Sequence, residues 1–95
     1  MLLSEILYKI PLLTVSGKTD IDIKNIIFDS RAVENGSLFM AIPGTQVDGH
    51  QYIEKALELG AFAILCEILP EKLEESITYV QVKNSAQAMG IAASN

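Results

Sequence analysis

Residues 37–66 read SLFMAI (37–42), PGTQVDG (43–49), HQYIEKALELG (50–60) and AFAILC (61–66). Two apolar runs of strand length lie on either side of a segment with helical spacing, which predicts a strand, a loop, a helix and a second strand. Strands joined through a helix are usually parallel with a right-handed crossover, and unbroken apolar runs are typical of strands covered on both faces. Loop 43–49 therefore leaves the carboxyl end of the first strand, where ligands of open α/β sheets tend to bind.

The flanking sequence supplies further elements. Apolar residues at helical spacing predict a short helix over 2–10 that Pro11 ends. Alternation predicts a strand near 21–28, with its early part at a sheet edge, and another over 77–82; a helix follows from Asn84 or Ser85. The predicted fold class is α/β, a small mixed, partly parallel sheet with helices packed on it.

Composition limits the possible functions. The 95 residues are 49% apolar and 20% charged, which indicates one domain with a real core. A net charge of −5 and scattered Lys and Arg residues argue against nucleic-acid binding. Cys66 is the only cysteine, so a reducing compartment is expected, and no apolar run approaches the length of a membrane span. The sequence predicts a cytoplasmic domain with no signal peptide and no membrane span.

Loop 43–49 is the first candidate binding site. Its two glycines, its hydroxyl and amide side chains and the helix start behind it suit phosphate or carbonyl recognition. Asp48 and Gln51 form a capping-box pattern, so an ordinary strand-to-helix connection remains the alternative. The loop has neither the Gly-Lys-Ser/Thr ending of a Walker loop nor a GxGxxG fingerprint.

Asp29–Ser30–Arg31 follows the predicted strand 21–28 and is the second candidate. Ser30 is able to hydrogen-bond a base or a sugar, and Arg31 to bind a phosphate. The alternative is a turn in which Asp29 and Arg31 hold the loop together.

Other reactive side chains have simpler explanations. His50 has too few neighbouring ligands for a metal site, so none is predicted, and a helix-start or surface role is favoured. Cys66 lies in an apolar run and is expected to be inert core, and the acidic residues of 67–75 are expected to form a solvated face. The sequence contains no nucleophile–base set, so no catalytic residue is predicted.

Four segments together resemble the N-terminal domain of the Mur ligases, in order and over about residues 20–92. They are IFDSR (27–31), NGSLFMAIPG (35–44), DGHQYI (48–53) and Gly60–Ala61 with Ala56 before them. The resemblance implies an ATP-dependent, peptide-bond-forming ligase of peptidoglycan synthesis, in which this domain holds the uridine-diphosphate end of the substrate. A central domain would bind ATP and Mg²⁺, and a C-terminal domain would select the amino acid, so the 95 residues are expected to be a cofactor-free fragment of a three-domain enzyme.

Carried over by position, Phe28 and Ser30 match the family's uridine-contacting pair, and Phe28 stands where the family has leucine. Thr45, Gln46 and Val47 match the loop that lines the same nucleotide. Arg31, Gly44, Asp48 and His50 are the expected supporting residues.

The resemblance implies the branch of the family that adds the third amino acid to UDP-N-acetylmuramoyl-L-alanyl-D-glutamate. The branch that adds D-Ala-D-Ala has a similar pattern and is one alternative. A non-catalytic interaction module that uses the sheet edge or the acidic segment 67–76 is the other.

Overall fold

The computed structural model of the chain describes residues 1–43 and 52–95. The predicted ligand loop falls largely on residues 44–51. The predictions for Gly44, Thr45, Gln46, Val47, Asp48 and His50 therefore lie outside the described residues, as does the predicted capping box.

The described residues form three α-helices and five strands, with one helix at the start of the chain, one between the third and fourth strands and one after the fifth. The helices are α1 (Leu3–Ile6), α2 (Ile53–Glu58) and α3 (Ser85–Ser94). The strands are β1 (Thr14–Ser16), β2 (Ile26–Ile27), β3 (Leu38–Met40), β4 (Ala63–Cys66) and β5 (Thr78–Gln81), and a 3-10 helix covers Ser30–Ala32.

The described strands form one mixed sheet in the order β1-β5-β4-β3-β2. Strands β2 to β5 are parallel to their neighbours, and only the edge strand β1 is antiparallel, with Thr14 opposite Gln81. The two apolar runs of 37–66 are paired in parallel, with Phe39 opposite Ile64. The predicted α/β class and the partly parallel sheet are confirmed.

Helices cover both faces of this sheet, as the unbroken apolar runs predicted. Alternate side chains of each strand point to opposite faces, so Leu38 and Met40 pack with α1 and α3 while Phe39 packs with α2. Every residue of β3 and β4 is buried. The sheet therefore separates α2 from the other two helices.

Helix α1 is shorter than predicted, because the chain turns before Pro11. Lys9 adopts a left-handed backbone with φ +67°, which a helix cannot continue through. The Asn95 side chain donates to the carbonyl oxygens of Ile6 (3.0 Å) and Tyr8 (2.6 Å) at this end. A contact with the last residue, which local periodicity does not show, thus accompanies the early end of the helix.

The strand predicted near 21–28 is wrong over its first part. Only Ile26–Ile27 joins the sheet. The alternating residues before it pair with the N-terminus: Leu3 N–H donates to Ile21 O (2.9 Å) and Ile23 N–H to Met1 O (2.8 Å). Alternation predicted extended backbone there but could not specify its partner.

The predicted start of α3 is confirmed, and a glycine follows the end of α2. Asn84 caps α3, and its side-chain oxygen accepts from the Gln87 N–H (2.9 Å). Gly60 follows α2 with φ +103°, and a Cβ at this position would lie 2.8 Å from the Cα of Asn35. Gly60 O also accepts from Gly36 N–H (2.9 Å), so the turns that lead into β3 and β4 are in direct contact.

Candidate functional site

A cleft of about 720 Å³ opens at the carboxyl ends of β2 and β3. One wall is the segment after β2, residues 28–31, and the opposite wall is the start of α2, with Tyr52 and Lys55. Ile42, two residues beyond β3, also lines it. The cleft lies at the strand ends where the topology predicted a ligand, and it brings together Phe28, Ser30 and Arg31 of the predicted site residues.

Phe28 and Ser30 differ in exposure. Half of the Phe28 surface (50%) is exposed, although phenylalanine is normally buried. Ser30 begins the 3-10 helix and is only 6% exposed. None of the hydrogen bonds among the described residues uses its hydroxyl group. The wall thus offers an exposed aromatic ring beside a polar hydroxyl.

Asp29 and Arg31 form the turn that the sequence left as an alternative. The Asp29 carboxylate accepts from the Arg31 backbone N–H (2.9 Å), from Nε (3.1 Å) and from Nη2 (2.8 Å). These hydrogen bonds lower the pKa of Asp29 from 3.8 to about 2. The side-chain hydrogen bonds with Asp29 are also the main reason that the pKa of Arg31 is raised. The guanidinium is therefore already bound by a carboxylate of its own loop.

Tyr52 and Lys55 are lining residues that sequence reasoning missed. They are three residues apart at the start of α2, so they lie on the same helix face. Both are exposed, and Tyr52 lies close enough to Arg31 to contribute slightly to the raised pKa of the guanidinium. Both residues belong to the segment whose helical spacing was visible in the sequence, but that spacing assigned neither of them a binding role.

A second groove, of about 630 Å³, lies between α2 and the segment after β4. Its apolar lining includes Leu57 and Ile68, and its acidic residues are Glu54, Glu71 and Glu74, against the single cation Lys72. This negative charge disfavours a phosphate ligand. We therefore place the candidate site in the cleft beside Ser30.

Two other expectations concern the thiol of Cys66, which was expected to be inert, and the acidic face of residues 67–75. Cys66 is fully buried, and burial raises the pKa of its thiol to about 11. Glu67 does not belong to the solvated face, because its carboxylate accepts from Ser85 N–H and Oγ (2.8 Å each) at the start of α3. Within 1–43 and 52–95, no three His, Cys, Asp or Glu side chains are grouped to hold a metal ion.

The chain matches the family described as "Mur ligase family, catalytic domain" over residues 22–95, so it belongs to the Mur ligase family. It is 54% identical, over 93 residues, to the UDP-N-acetylmuramoyl-L-alanyl-D-glutamate–2,6-diaminopimelate ligase of Bacteroides fragilis, and the alignment covers 98% of this chain and 19% of that protein. The ligase of the same name from Cytophaga hutchinsonii is 47% identical over 96 residues, which cover 100% of this chain and 20% of that protein.

A solved structure supports the same family. The MurF ligase from Thermotoga maritima in complex with ADP superposes with a TM-score of 0.66 at 28% identity, covering 80% of this chain and 17% of that one. The chain thus spans about one fifth of the length of the curated relatives reported above. Among the described residues, no helix is long and apolar enough to cross a bilayer.

Proposed function

We propose that this chain is the N-terminal, UDP-binding domain of a MurE-type ligase. The observation that carries the proposal is the cleft beside Ser30, which lies at the strand ends where the family resemblance positions the uridine-contacting pair. The names of the two relatives favour 2,6-diaminopimelate as the amino acid that the whole enzyme adds to UDP-N-acetylmuramoyl-L-alanyl-D-glutamate.

In this proposal the domain acts by positioning. It anchors the nucleotide end of a long substrate so that the distal glutamyl carboxylate reaches an ATP site elsewhere in the enzyme. Ser30 hydrogen-bonds the uridine and Phe28 contacts the base. Thr45, Gln46 and Val47, with Gly44, Asp48 and His50 near them, complete the nucleotide site by their family positions.

The whole enzyme is proposed to have three domains and to work in the cytoplasm. ATP and Mg²⁺ are proposed to bind a central domain, because the Gly-Thr-Asn-Gly-Lys-Thr segment that holds the phosphates in this family does not occur in these 95 residues. The partners of this domain are then the UDP-sugar peptide and the other domains of its own chain, with no nucleic acid.

A MurF-type ligase is the second candidate, and the likeness to the Thermotoga maritima structure is the observation that favours it. Assays of a full-length enzyme separate the two. A MurE-type ligase consumes the UDP-linked dipeptide with one amino acid, whereas a MurF-type ligase consumes the tripeptide with D-Ala-D-Ala.

An amide NMR titration of the 95-residue chain with UDP, with AMP as the control ligand, tests the binding proposal. We expect shifts at Ser30 and in residues 44–48 with UDP and not with AMP. Equal shifts with both nucleotides, or none at millimolar UDP, would contradict a uridine-specific site in this chain.

Substitution of Ser30 sharpens the test. Ser30→Ala removes one neutral hydrogen bond, so UDP affinity should fall about two- to tenfold. Ser94→Ala is the matched control, because Ser94 lies at the end of α3, across the sheet from the cleft, and bonds only the Gly90 carbonyl oxygen (3.2 Å) among the described residues. An equal fall in both variants would remove Ser30 from the site.

A further inference from the structure

The described lining of the cleft includes two cationic side chains, Arg31 and Lys55, which differ in their ion pairing. Arg31 is held by the Asp29 carboxylate through two side-chain hydrogen bonds, of 3.1 and 2.8 Å. This pair contributes no net charge, and its carboxylate would lie beside any anion that the remaining guanidinium donors bind. The sequence left Arg31 as either a phosphate ligand or a turn residue, and the structure shows its side chain bonded within its own turn.

Lys55 is the other cation, and none of the ion pairs among the described residues involves it. It is exposed on α2, on the wall opposite Ser30 and Arg31, one helical turn after Tyr52. Because Asp29 and Arg31 cancel, Lys55 supplies the net positive charge of the described lining. An ammonium group has three donors and a compact charge, which suit phosphate oxygens.

We propose that Lys55 binds the diphosphate of the nucleotide and so makes the cleft prefer nucleoside diphosphates over nucleosides. This inference rests on the proposed function for the identity of the nucleotide. In it, Arg31 and Asp29 shape the turn that presents Ser30, and α2 supplies the charge. The two walls then have separate tasks: the segment after β2 contacts the nucleoside and Lys55 contacts the phosphates.

The test measures the dissociation constants of UDP and uridine for the 95-residue chain by NMR titration at low ionic strength. Lys55→Met should weaken UDP binding about three- to thirtyfold, a loss between those of an exposed ion pair and of a hydrogen bond to a charged group. Uridine binding should stay within twofold, and Lys55→Arg should retain more UDP affinity than Lys55→Met. Added salt should weaken UDP binding to the parent chain more than to Lys55→Met.

Lys18→Met is the matched control, since it removes the same charge at the opposite end of the sheet. The Lys18 carbonyl oxygen accepts from Thr78 Oγ1 (2.6 Å) where β5 begins, far from the carboxyl ends of the strands. We expect no change in UDP affinity for this variant.

The outcomes separate the two proposals. If the parent chain binds neither UDP nor uridine, the proposed function fails, and the role of Lys55 fails with it. If UDP binds and Lys55→Met leaves its affinity unchanged, or weakens uridine as much as UDP, only the role of Lys55 is overturned. Equal affinities of the parent chain for UDP and uridine would also overturn it.

Discussion

Gly60→Ala tests the close contact between the turn that leads into β4 and the turn that leads into β3. Gly60 has φ +103°, a left-handed backbone that disfavours a Cβ by about 1–2 kcal/mol. The added methyl group would lie 2.8 Å from Asn35 Cα and 3.2 Å from Asn35 N, so backbone must move at a cost of about 1–3 kcal/mol. The smaller entropy of the unfolded alanine chain offsets less than about 1 kcal/mol of this.

The free energy of unfolding should therefore fall by about 2–4 kcal/mol. Urea unfolding followed by circular dichroism measures it, and the melting temperature should drop by at least about 8 °C. The substitution should destabilise β3 and β4 together, because Gly36 lies in the turn before β3, Gly60 lies in the turn before β4, and Gly60 O accepts from Gly36 N–H.

Gly90→Ala is the matched control. Gly90 is an exposed residue inside α3, and a Cβ there would meet nothing within 4 Å. The same chemical change should raise the free energy of unfolding by about 0.5–1 kcal/mol, since alanine favours helix. A loss below about 0.5 kcal/mol for Gly60→Ala, or the same sign for both variants, would refute the reasoning.

Two further predictions concern titration. Because the pKa of Asp29 in the folded chain is lowered to about 2, its pairing with Arg31 stabilises the fold above pH 3.8, and this contribution is lost as the pH falls through 2. The NMR shift of the Asp29 carboxyl carbon should therefore titrate near pH 2. Arg31→Met should move that midpoint up toward 3.8. Burial raises the pKa of the Cys66 thiol to about 11, so the thiol of the folded chain should not react with a disulfide reagent at pH 8. It should react only as the chain unfolds in urea. Rapid reaction without urea would contradict its burial.

The β3–α2–β4 unit was predictable because its signals are local and agree. Unbroken apolar runs, helical spacing and a terminal glycine all indicate the same architecture. The errors occur where tertiary partners decide. Asn95 contacts the end of α1, the N-terminus pairs with residues 21–23, and Glu67 binds the start of α3 rather than solvent.

The position of the candidate site was predictable from the sequence, but only some of the residues that line it were. Topology indicated the strand ends, and the family resemblance indicated Phe28 and Ser30. The commitment of Arg31 to Asp29 was one of two alternatives, and only side-chain geometry decides between them. Lys55 lies beyond the predicted loop, and its place in the cleft depends on how α2 packs against the 3-10 helix, which no local pattern records.

The pairing of β1 with β5 also bears on the timing of synthesis. Thr14–Ser16 is made early, but its partner in the sheet, Thr78–Gln81, is made about 65 residues later. At roughly 5–20 residues per second, translation leaves this strand without its partner for about 3–13 s. The edge of the sheet is therefore completed only after β5 has left the ribosome, and a nascent chain paused before residue 78 leaves the backbone edge of β4 without the strand that pairs with it.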